Sequence, residues 1–303
     1  METGTAVADE PRLIIDKPGA YRMTNEDYHA DPCIRPSLSR GVCMDLLFQS
    51  CARAAYNHPR LNPDYVPENN QKFSIGSAAH SLFLEGIDIA CIVTADDWKT
   101  KAAKEARDQA WADGKVPLLE KEFEIVMEMV RSAVCGLSGS ELNIEMGVTP
   151  GESELSYFWE EDGTWFRTRP DWVSKDRRIC LDFKTTSVSA NPAEISGKIL
   201  NMGYDTQDSL YSRGIKAVDG VDTKFVFMFI ETEKPYLCSF VSLPPAFKDI
   251  GRRKVSHAVG LWKQCMTTGQ WPGYPSKVCY PDVPPWAEGW SMRATFLGSE
   301  DEI

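Results

Sequence analysis

The hydrophobic positions divide the chain into a first part with helical spacing and a second part rich in strands. Between residues 37 and 136, apolar residues recur every three or four positions, which is the period of helices that bury one face. Serines precede two of these runs as helix caps, Ser37 or Ser39 for the first and Ser74 or Ser77 for the second. The pattern predicts helices at 37–58, 73–86, 96–113 and 117–136.

From Glu152 onward the pattern changes to short alternating or apolar runs, which predict strands. The segments SELSYFW and TWFRTRPDW, joined by the turn EDGT, predict a hairpin, and RICLDFK predicts a third strand beside it. A helix is predicted from about Pro192 to Val218 with a break near Gly203. Strands at 224–232 and 236–243 and a Pro-initiated helix at 244–266 complete the predicted elements.

This order of elements predicts one α/β domain of the α+β kind, with a central mixed sheet flanked by helices. The domain covers residues 37–266, comprising a helical part at 37–136, a sheet core at 152–243 and a closing helix at 244–266. Residues 1–20 show no periodic pattern, and residues 1–36 are predicted to be an N-terminal arm. Residues 267–303 are predicted to be a Trp- and Pro-rich tail that wraps on the domain or on a neighbouring subunit.

Composition restricts the class of protein. With 43% apolar and 25% charged residues among 303, the chain is an ordinary globular protein. It has no run of eighteen apolar residues and no basic-then-apolar signal at its start, so we expect a cytoplasmic protein without a membrane segment. The nine cysteines form no CxxC pair, which argues against a disulfide framework and a zinc ribbon.

The net charge of −11 is unusual for a protein that binds nucleic acid. A local basic groove could still contact phosphates. The candidate basic residues are Arg167, Arg169, Lys175, Arg177, Arg178, Arg252, Arg253 and Lys254.

Two acids and a lysine are brought together by the predicted strands. Asp171 follows Pro170, and Asp182 and Lys184 lie on the next strand, after the turn Ser174-Lys175-Asp176. Adjacent strands can bring these side chains to one edge of a sheet. Two carboxylates held close together repel each other and lose solvation, so a divalent cation such as Mg²⁺ is the expected reason for the arrangement.

These residues resemble the motif of PD-(D/E)XK nucleases in its D-x-K form. Other stretches resemble the same superfamily: His80 lies on a helix of small residues before the sheet, and Gln207 and Tyr211 match a Q-x-x-x-Y motif after the D-x-K strand. The RPDW and LDFKTT segments are similar to the RecE-like branch, exodeoxyribonuclease VIII. The resemblance covers about residues 37–243 and implies the restriction-endonuclease-like core.

The resemblance also implies roles for these residues. His80, Asp171, Asp182 and the backbone carbonyl of Phe183 are expected to bind one or two Mg²⁺ or Mn²⁺ ions. Lys184 is expected to act with Asp171 and Asp182 in catalysis. Gln207, Tyr211 and Arg169 are expected to contact the substrate. Glu154 is either a further carboxylate of the site or a surface residue, and no iron–sulfur cluster is expected.

The implied activity is exonuclease digestion of linear double-stranded DNA, from the 5′ end, leaving 3′ single-stranded tails for recombination. The family implies a ring-shaped homo-oligomer and a single-strand annealing partner. Two alternatives stay open. One is a RecB-like nuclease that acts on ends or flaps in repair or CRISPR adaptation, and the other is a non-cleaving DNA-binding or anti-defence protein with the same fold.

Overall fold

The computed structural model describes residues 13–66 and 75–283. Residues 1–12 of the predicted arm, the proposed cap Ser74, and Trp286 and Trp290 of the tail lie outside the described residues. Residues up to Trp271 form one compact unit and residues 272–303 a second. The described part of the second unit, residues 272–283, contains neither helix nor strand. Within the described ranges, no helix is long and apolar enough to cross a membrane.

The first unit combines eleven strands and nine helices in its described ranges. The strands are β1 (Gly19–Tyr21), β2 (Ser37–Leu38), β3 (Ala90–Val93), β4 (Val116–Leu119), β5 (Gly151–Ser153), β6 (Ser156–Glu161), β7 (Thr164–Thr168), β8 (Trp172–Ser174), β9 (Ile179–Thr186), β10 (Lys224–Glu231) and β11 (Cys238–Val241). The helices are α1 (Asn25–His29), α2 (Arg40–Phe48), α3 (Cys51–Tyr56), α4 (Ile75–Glu85), α5 (Lys101–Ala112), α6 (Glu120–Ser138), α7 (Ser196–Asn201), α8 (Tyr204–Asp219) and α9 (Pro245–Thr268).

The central sheet is mixed, as predicted, and has the strand order β11-β10-β9-β8-β5. Strands β9 and β10 are parallel, because the chain crosses from one to the other through α7 and α8. The other pairs of this sheet are antiparallel. A four-stranded sheet, β1-β6-β7-β2, and the pair β3-β4 complete the α/β fold.

Strand β9 separates two layers because its side chains alternate between the faces of the sheet. Leu181 and Phe183 pack in the hydrophobic cluster of α4 and α6. On the other face, Asp182 contacts Gln207 and Lys184 lies beside Tyr204, both on α8. The sheet is therefore covered on both sides, and the polar residues of the D-x-K segment all face α7 and α8.

The prediction that the hairpin and the D-x-K strand share one sheet is wrong. Strands β6 and β7 belong to the four-stranded sheet, whereas β5 and β8 belong to the central sheet. Both arms of the hairpin cross between the sheets at the same level, at Glu154 and at Arg169-Pro170-Asp171. Glu154 has a φ of +54°, and its N–H donates to the carbonyl of Asp171 at 3.0 Å. The alternation of apolar and polar residues continues through Glu154, so the sequence does not show that the chain passes from one sheet to the other there.

The N-terminal segment from residue 13 to residue 36 is part of the fold rather than an arm. It forms β1, which pairs with β6, and buries Tyr28 against Phe158. Asp31 is 1% exposed and accepts hydrogen bonds from the N–H and hydroxyl of Ser37 at 2.8 and 2.7 Å. Its carboxylate also lies 3.0 Å from Arg167 and 3.3 Å from His58. This buried network ties the segment to β2 and β7.

The helix predicted at 37–58 is two helices. Ser39 caps α2, and Ser50, which was not recognised as a cap, accepts a hydrogen bond from Arg53 N–H and begins α3. The break near Gly203 is confirmed: Gly203 adopts φ +64° between α7 and α8. The predicted tail begins later than residue 267, since α9 continues to Thr268 and Trp271 packs edge-on against Trp262 at 5.5 Å.

Candidate metal and phosphodiester site

His80 reaches the central sheet because α4 packs very close to β9. Gly76 lies one turn before His80 on α4, and a Cβ atom there would lie 2.5 Å from the Thr185 hydroxyl oxygen. Residues four apart share a helix face, so this close contact directs His80 toward the sheet. Its Nε2 lies 3.0 Å from Oδ2 of Asp171, and its ring packs edge-on against Phe183.

Glu154 and Asp171 lie side by side at the crossing between the two sheets. Ligand atoms of His80, Glu154 and Asp171 all lie within 4.8 Å of one another. An imidazole nitrogen with carboxylate oxygens is a donor set that suits Mn²⁺ and, less well, Mg²⁺. The residues present therefore fit a divalent cation, and the carboxylate of Glu154 belongs to the cluster rather than to the open surface.

Asp171 is held in its ionised form. Its Oδ2 accepts a hydrogen bond from the backbone N–H of Phe183 at 2.6 Å. Burial opposes ionisation of Asp171, but the His80 hydrogen bond and the nearby positive charges outweigh it, so the pKa of Asp171 is lowered. Burial likewise disfavours the imidazolium of His80, but the bond to Asp171 outweighs burial and raises the pKa of His80.

Asp182 is next to this cluster but is not one of the three converging residues. It is 1% exposed, forms an ion pair with Lys184 and accepts a hydrogen bond from the amide of Gln207. Burial and the charge of Asp171 raise the pKa of Asp182 to about 6. Burial opposes the ammonium form of Lys184, but Asp182 and Asp171 raise its pKa, so the ammonium form is favoured.

The predicted substrate contacts have different positions. Gln207 donates to Asp182 and therefore orients a carboxylate of the site. Tyr211, one turn later, packs edge-on against Phe225 at 6.0 Å. Burial raises the pKa of Tyr211, and the charges of Asp182 and Asp171 add to that rise, so its hydroxyl lies near the site carboxylates. Arg169 forms an ion pair with Glu154 and lies over the ring of Tyr28 at 5.8 Å. Its guanidinium thus has a carboxylate partner within the protein, whereas its buried Nη1 has no hydrogen-bond partner.

Seven of the eight basic residues that the sequence suggested for a groove pair with carboxylates. The eighth, Lys175, has no ion pair among the described residues, but it lies in the turn before β9, at the end of that strand opposite Lys184. Arg167 pairs with Asp31, Arg169 with Glu154, and Arg177 with both Glu152 and Asp219. Arg178, Arg252, Arg253 and Lys254 also pair with carboxylates. The sequence could not show the pairs of Arg167, Arg169, Arg177 and Lys254, because their acids lie far away along the chain. Arg178, Arg252 and Arg253 pair with acids two to four residues away.

The sequence did not identify Tyr204 as a residue of the site, and it left open whether Glu154 belongs to the site or to the surface. The ring of Tyr204 lies 5.7 Å from the Lys184 ammonium. A signal for Tyr204 was available, since it follows Gly203, the residue at which the helix was predicted to break. The position of Glu154 depends on a left-handed backbone conformation, for which a glutamate gives no signal.

The mixed sheet with paired acids and a lysine on adjacent strands defines the class of PD-(D/E)XK nuclease-like domains. The family model described as "PDDEXK-like domain of unknown function (DUF3799)" matches residues 45–282, and the chain belongs to this family. No curated protein matches the chain.

Several solved structures resemble the chain. One is described as a "Putative exonuclease" from Eubacterium rectale; the TM-score is 0.57 at 13% identity, with 87% of this chain and 97% of the other covered. This likeness shows the fold. Another, SSO0001, has a TM-score of 0.28 at 13% identity over 69% of this chain and 100% of that chain.

Proposed function

We propose that this protein is a divalent-metal-dependent deoxyribonuclease that hydrolyses phosphodiester bonds of linear double-stranded DNA. The observation that carries the proposal is the convergence of His80, Glu154 and Asp171 within 4.8 Å, beside the Asp182–Lys184 pair. Membership in a PDDEXK-like family supports it.

The proposed mechanism assigns a task to each residue. A bound Mg²⁺ or Mn²⁺ would lower the pKa of a water and neutralise charge on the phosphate. His80, Glu154, Asp171, Asp182 and the Phe183 carbonyl would hold one or two such ions. Lys184, as an ammonium group, would orient the attacking water and offset negative charge in the transition state. Gln207 would fix the orientation of Asp182.

We further propose an exonuclease that digests from the 5′ end and leaves 3′ single-stranded tails. The support is the resemblance of the RPDW and LDFKTT segments to RecE-like enzymes and the fold shared with the Eubacterium rectale protein. A ring-shaped oligomer, an annealing partner and a cytoplasmic location remain predictions of the same resemblance.

The test is a gel assay with duplexes labelled at the 5′ or the 3′ end, in linear and circular form, with Mg²⁺, with Mn²⁺ and with chelator. We expect linear DNA to be degraded and circular DNA to stay intact. Degradation should require Mg²⁺ or Mn²⁺, and the 5′ label should be released first. Release of the 3′ label first, or cleavage of flaps, would favour a RecB-like nuclease. Binding without cleavage under every condition would favour the non-cleaving alternative.

Site variants make the test specific. Asp182→Ala or Lys184→Ala should abolish metal-dependent digestion while the circular dichroism spectrum stays unchanged. Lys175→Ala is the matched control, because Lys175 lies in the turn before β9, at the end of that strand opposite Lys184. Full activity in either site variant would overturn the assignment.

A further inference from the structure

Lys198 is a half-buried cation whose partner is a hydroxyl group rather than an acid. It lies in α7, and its Nζ donates to Oγ1 of Thr186 and lies 5.8 Å from the centroid of the Phe229 ring. Within residues 13–66 and 75–283, no carboxylate forms an ion pair with it. Burial without a compensating acid lowers the pKa of Lys198.

Lys198 borders the same aromatic pair as Lys184. Thr186 lies two residues beyond Lys184 on the same face of β9, a distance of about 7 Å along the strand. Phe229 is the neighbour of Lys184 in β10, and its ring lies 5.7 Å from that of Tyr204. Tyr204 in turn lies 5.7 Å from the Lys184 ammonium. The two lysines are therefore consecutive cations along one side of the site.

Arg40 is a second half-buried cation near Tyr204. It begins α2, and one of its terminal nitrogens donates to the carbonyl of Met202, in the turn between α7 and α8. Its buried Nε has no hydrogen-bond partner, and no carboxylate in the described part of the chain pairs with Arg40. Burial raises the pKa of Tyr204, and the charges of Lys184 and Arg40 partly offset that rise, so both cations lie near its hydroxyl.

Most half-buried cations in the described part of the chain pair with acids, although Arg60, like Arg40, donates to backbone carbonyls instead. Its net charge is −11, and the half-buried residues Arg177, Arg213 and Lys254 all pair with carboxylates. Partly buried charges without a counter-ion are unfavourable, and an incoming anion would compensate them. A DNA strand carries one phosphate per about 3.4 Å of helix axis, so a cation about 7 Å beyond Lys184 would meet a phosphate one or two nucleotides away.

We infer that Arg40 and Lys198 form a phosphate-binding site for the DNA strand being cut, one or two nucleotides from the bond that is hydrolysed. The inference rests on the proposed nuclease function. It replaces the basic groove that the sequence suggested, whose arginines are already paired with acids. Both residues act in substrate binding, and neither contacts the reacting atoms.

The test measures DNA binding separately from cleavage. Asp182→Asn is the cleavage-deficient reference, and Lys198→Gln, Arg40→Gln and the control Lys175→Gln are added to it. Fluorescence anisotropy with a labelled linear duplex is recorded between about 50 and 200 mM salt. We expect about tenfold weaker binding for Lys198→Gln and for Arg40→Gln. The slope of log affinity against log salt should fall by about 0.9 for each.

Lys198→Arg retains the charge and should bind within about threefold of the reference, which separates loss of a phosphate contact from local unfolding. In the otherwise unchanged protein, Lys198→Gln should raise KM with kcat little changed, since uniform binding is lost. An unchanged salt slope for both glutamine variants, or equal weakening by Lys175→Gln, would overturn the inference while leaving a functioning nuclease. If the reference does not bind duplex and the unchanged protein does not cut it, the proposed function itself fails.

Discussion

Gly76 contacts Thr185 so closely that a side chain at position 76 would overlap the hydroxyl group of Thr185. This contact sets the distance between α4 and β9, and with it the position of His80 next to Asp171. The glycine has no part in the chemistry, yet the geometry of the cluster depends on it.

Gly76→Ala should therefore move α4 away from β9. We expect a loss of about 1–3 kcal/mol in the free energy of unfolding, because overpacking forces the backbone to shift. Metal binding should weaken as well, since His80 moves with the helix. Urea unfolding and calorimetric titration with Mn²⁺ measure the two effects.

Gly260→Ala is the control for that variant. Gly260 lies within α9, and no atom lies within 4 Å of a Cβ placed there. Alanine is a better helix former, so this change should stabilise the protein by about 0.5–1 kcal/mol. If the Gly76→Ala protein were as stable as the unchanged protein, the contact between Gly76 and Thr185 would not set the distance between α4 and β9.

The two members of the Q-x-x-x-Y motif should differ in their effect on catalysis. Gln207→Ala removes a hydrogen bond from the buried carboxylate of Asp182, so we expect kcat to fall by about 100-fold. Tyr211→Phe keeps the packing against Phe225 and should retain activity within a few fold. The initial rate of digestion measures both. Equal losses in the two variants would show that the Tyr211 hydroxyl has a direct role.

Glu154 should contribute to metal affinity. Glu154→Gln keeps the volume but removes a charged ligand, so Mn²⁺ binding measured by calorimetry should weaken by about tenfold or more. Glu152→Gln is the matched control, since Glu152 lies two residues away and pairs with Arg22 and Arg177 instead. Unchanged Mn²⁺ binding in Glu154→Gln would remove this residue from the site.

Asp31 should be important for stability rather than for activity. Its carboxylate is buried with Arg167, and Asp31→Asn leaves that guanidinium without its counter-ion. We expect the free energy of unfolding to fall by about 3 kcal/mol at pH 7. The exposed Asp249→Asn, which loses only surface pairs with Arg252 and Arg253, should change it by about 0.5 kcal/mol or less.

The same variant gives a pH test. Burial opposes ionisation of Asp31, but Arg167 and the hydrogen bonds outweigh it and hold its pKa well below the ordinary value. A carboxyl group with a lowered pKa stabilises the fold above its unfolded pKa of about 3.9, and this contribution is lost as the pH falls. The stability difference between the unchanged protein and Asp31→Asn should therefore begin to shrink below about pH 5 and continue to shrink as the pH falls toward the lowered pKa of the folded state. A constant difference would contradict this reason for the lowered pKa.

The sequence predicted the elements that carry local signals. The D-x-K strand, the Pro-initiated helix α9 and the break at Gly203 follow from apolar runs, a proline and a glycine, which act within a few residues. The fold class and the superfamily were confirmed because the motifs occur in a fixed order over most of the chain.

Features that depend on distant contacts were not predictable. The segment around Tyr28 and Asp31 is anchored by single buried residues with no period, and two of their partners, Phe158 and Arg167, lie more than a hundred residues away. The crossing of the hairpin between two sheets depends on the backbone of Glu154. The pairing of the arginines with acids depends on tertiary contacts that composition does not reveal.

The alternation along β9 also limits how the chain can change length. Asp182, Lys184 and Thr186 occupy one side of the strand, and Leu181, Phe183 and Thr185 occupy the other. A deletion of one residue in the turn at 175–178 that slipped β9 by one position would exchange the two sets. It would place Asp182 and Lys184 against the hydrophobic α4–α6 layer and turn Leu181 and Phe183 toward Tyr204. Point substitutions can thus adjust the chemistry, whereas single insertions or deletions ahead of this strand would destroy the site and the core together.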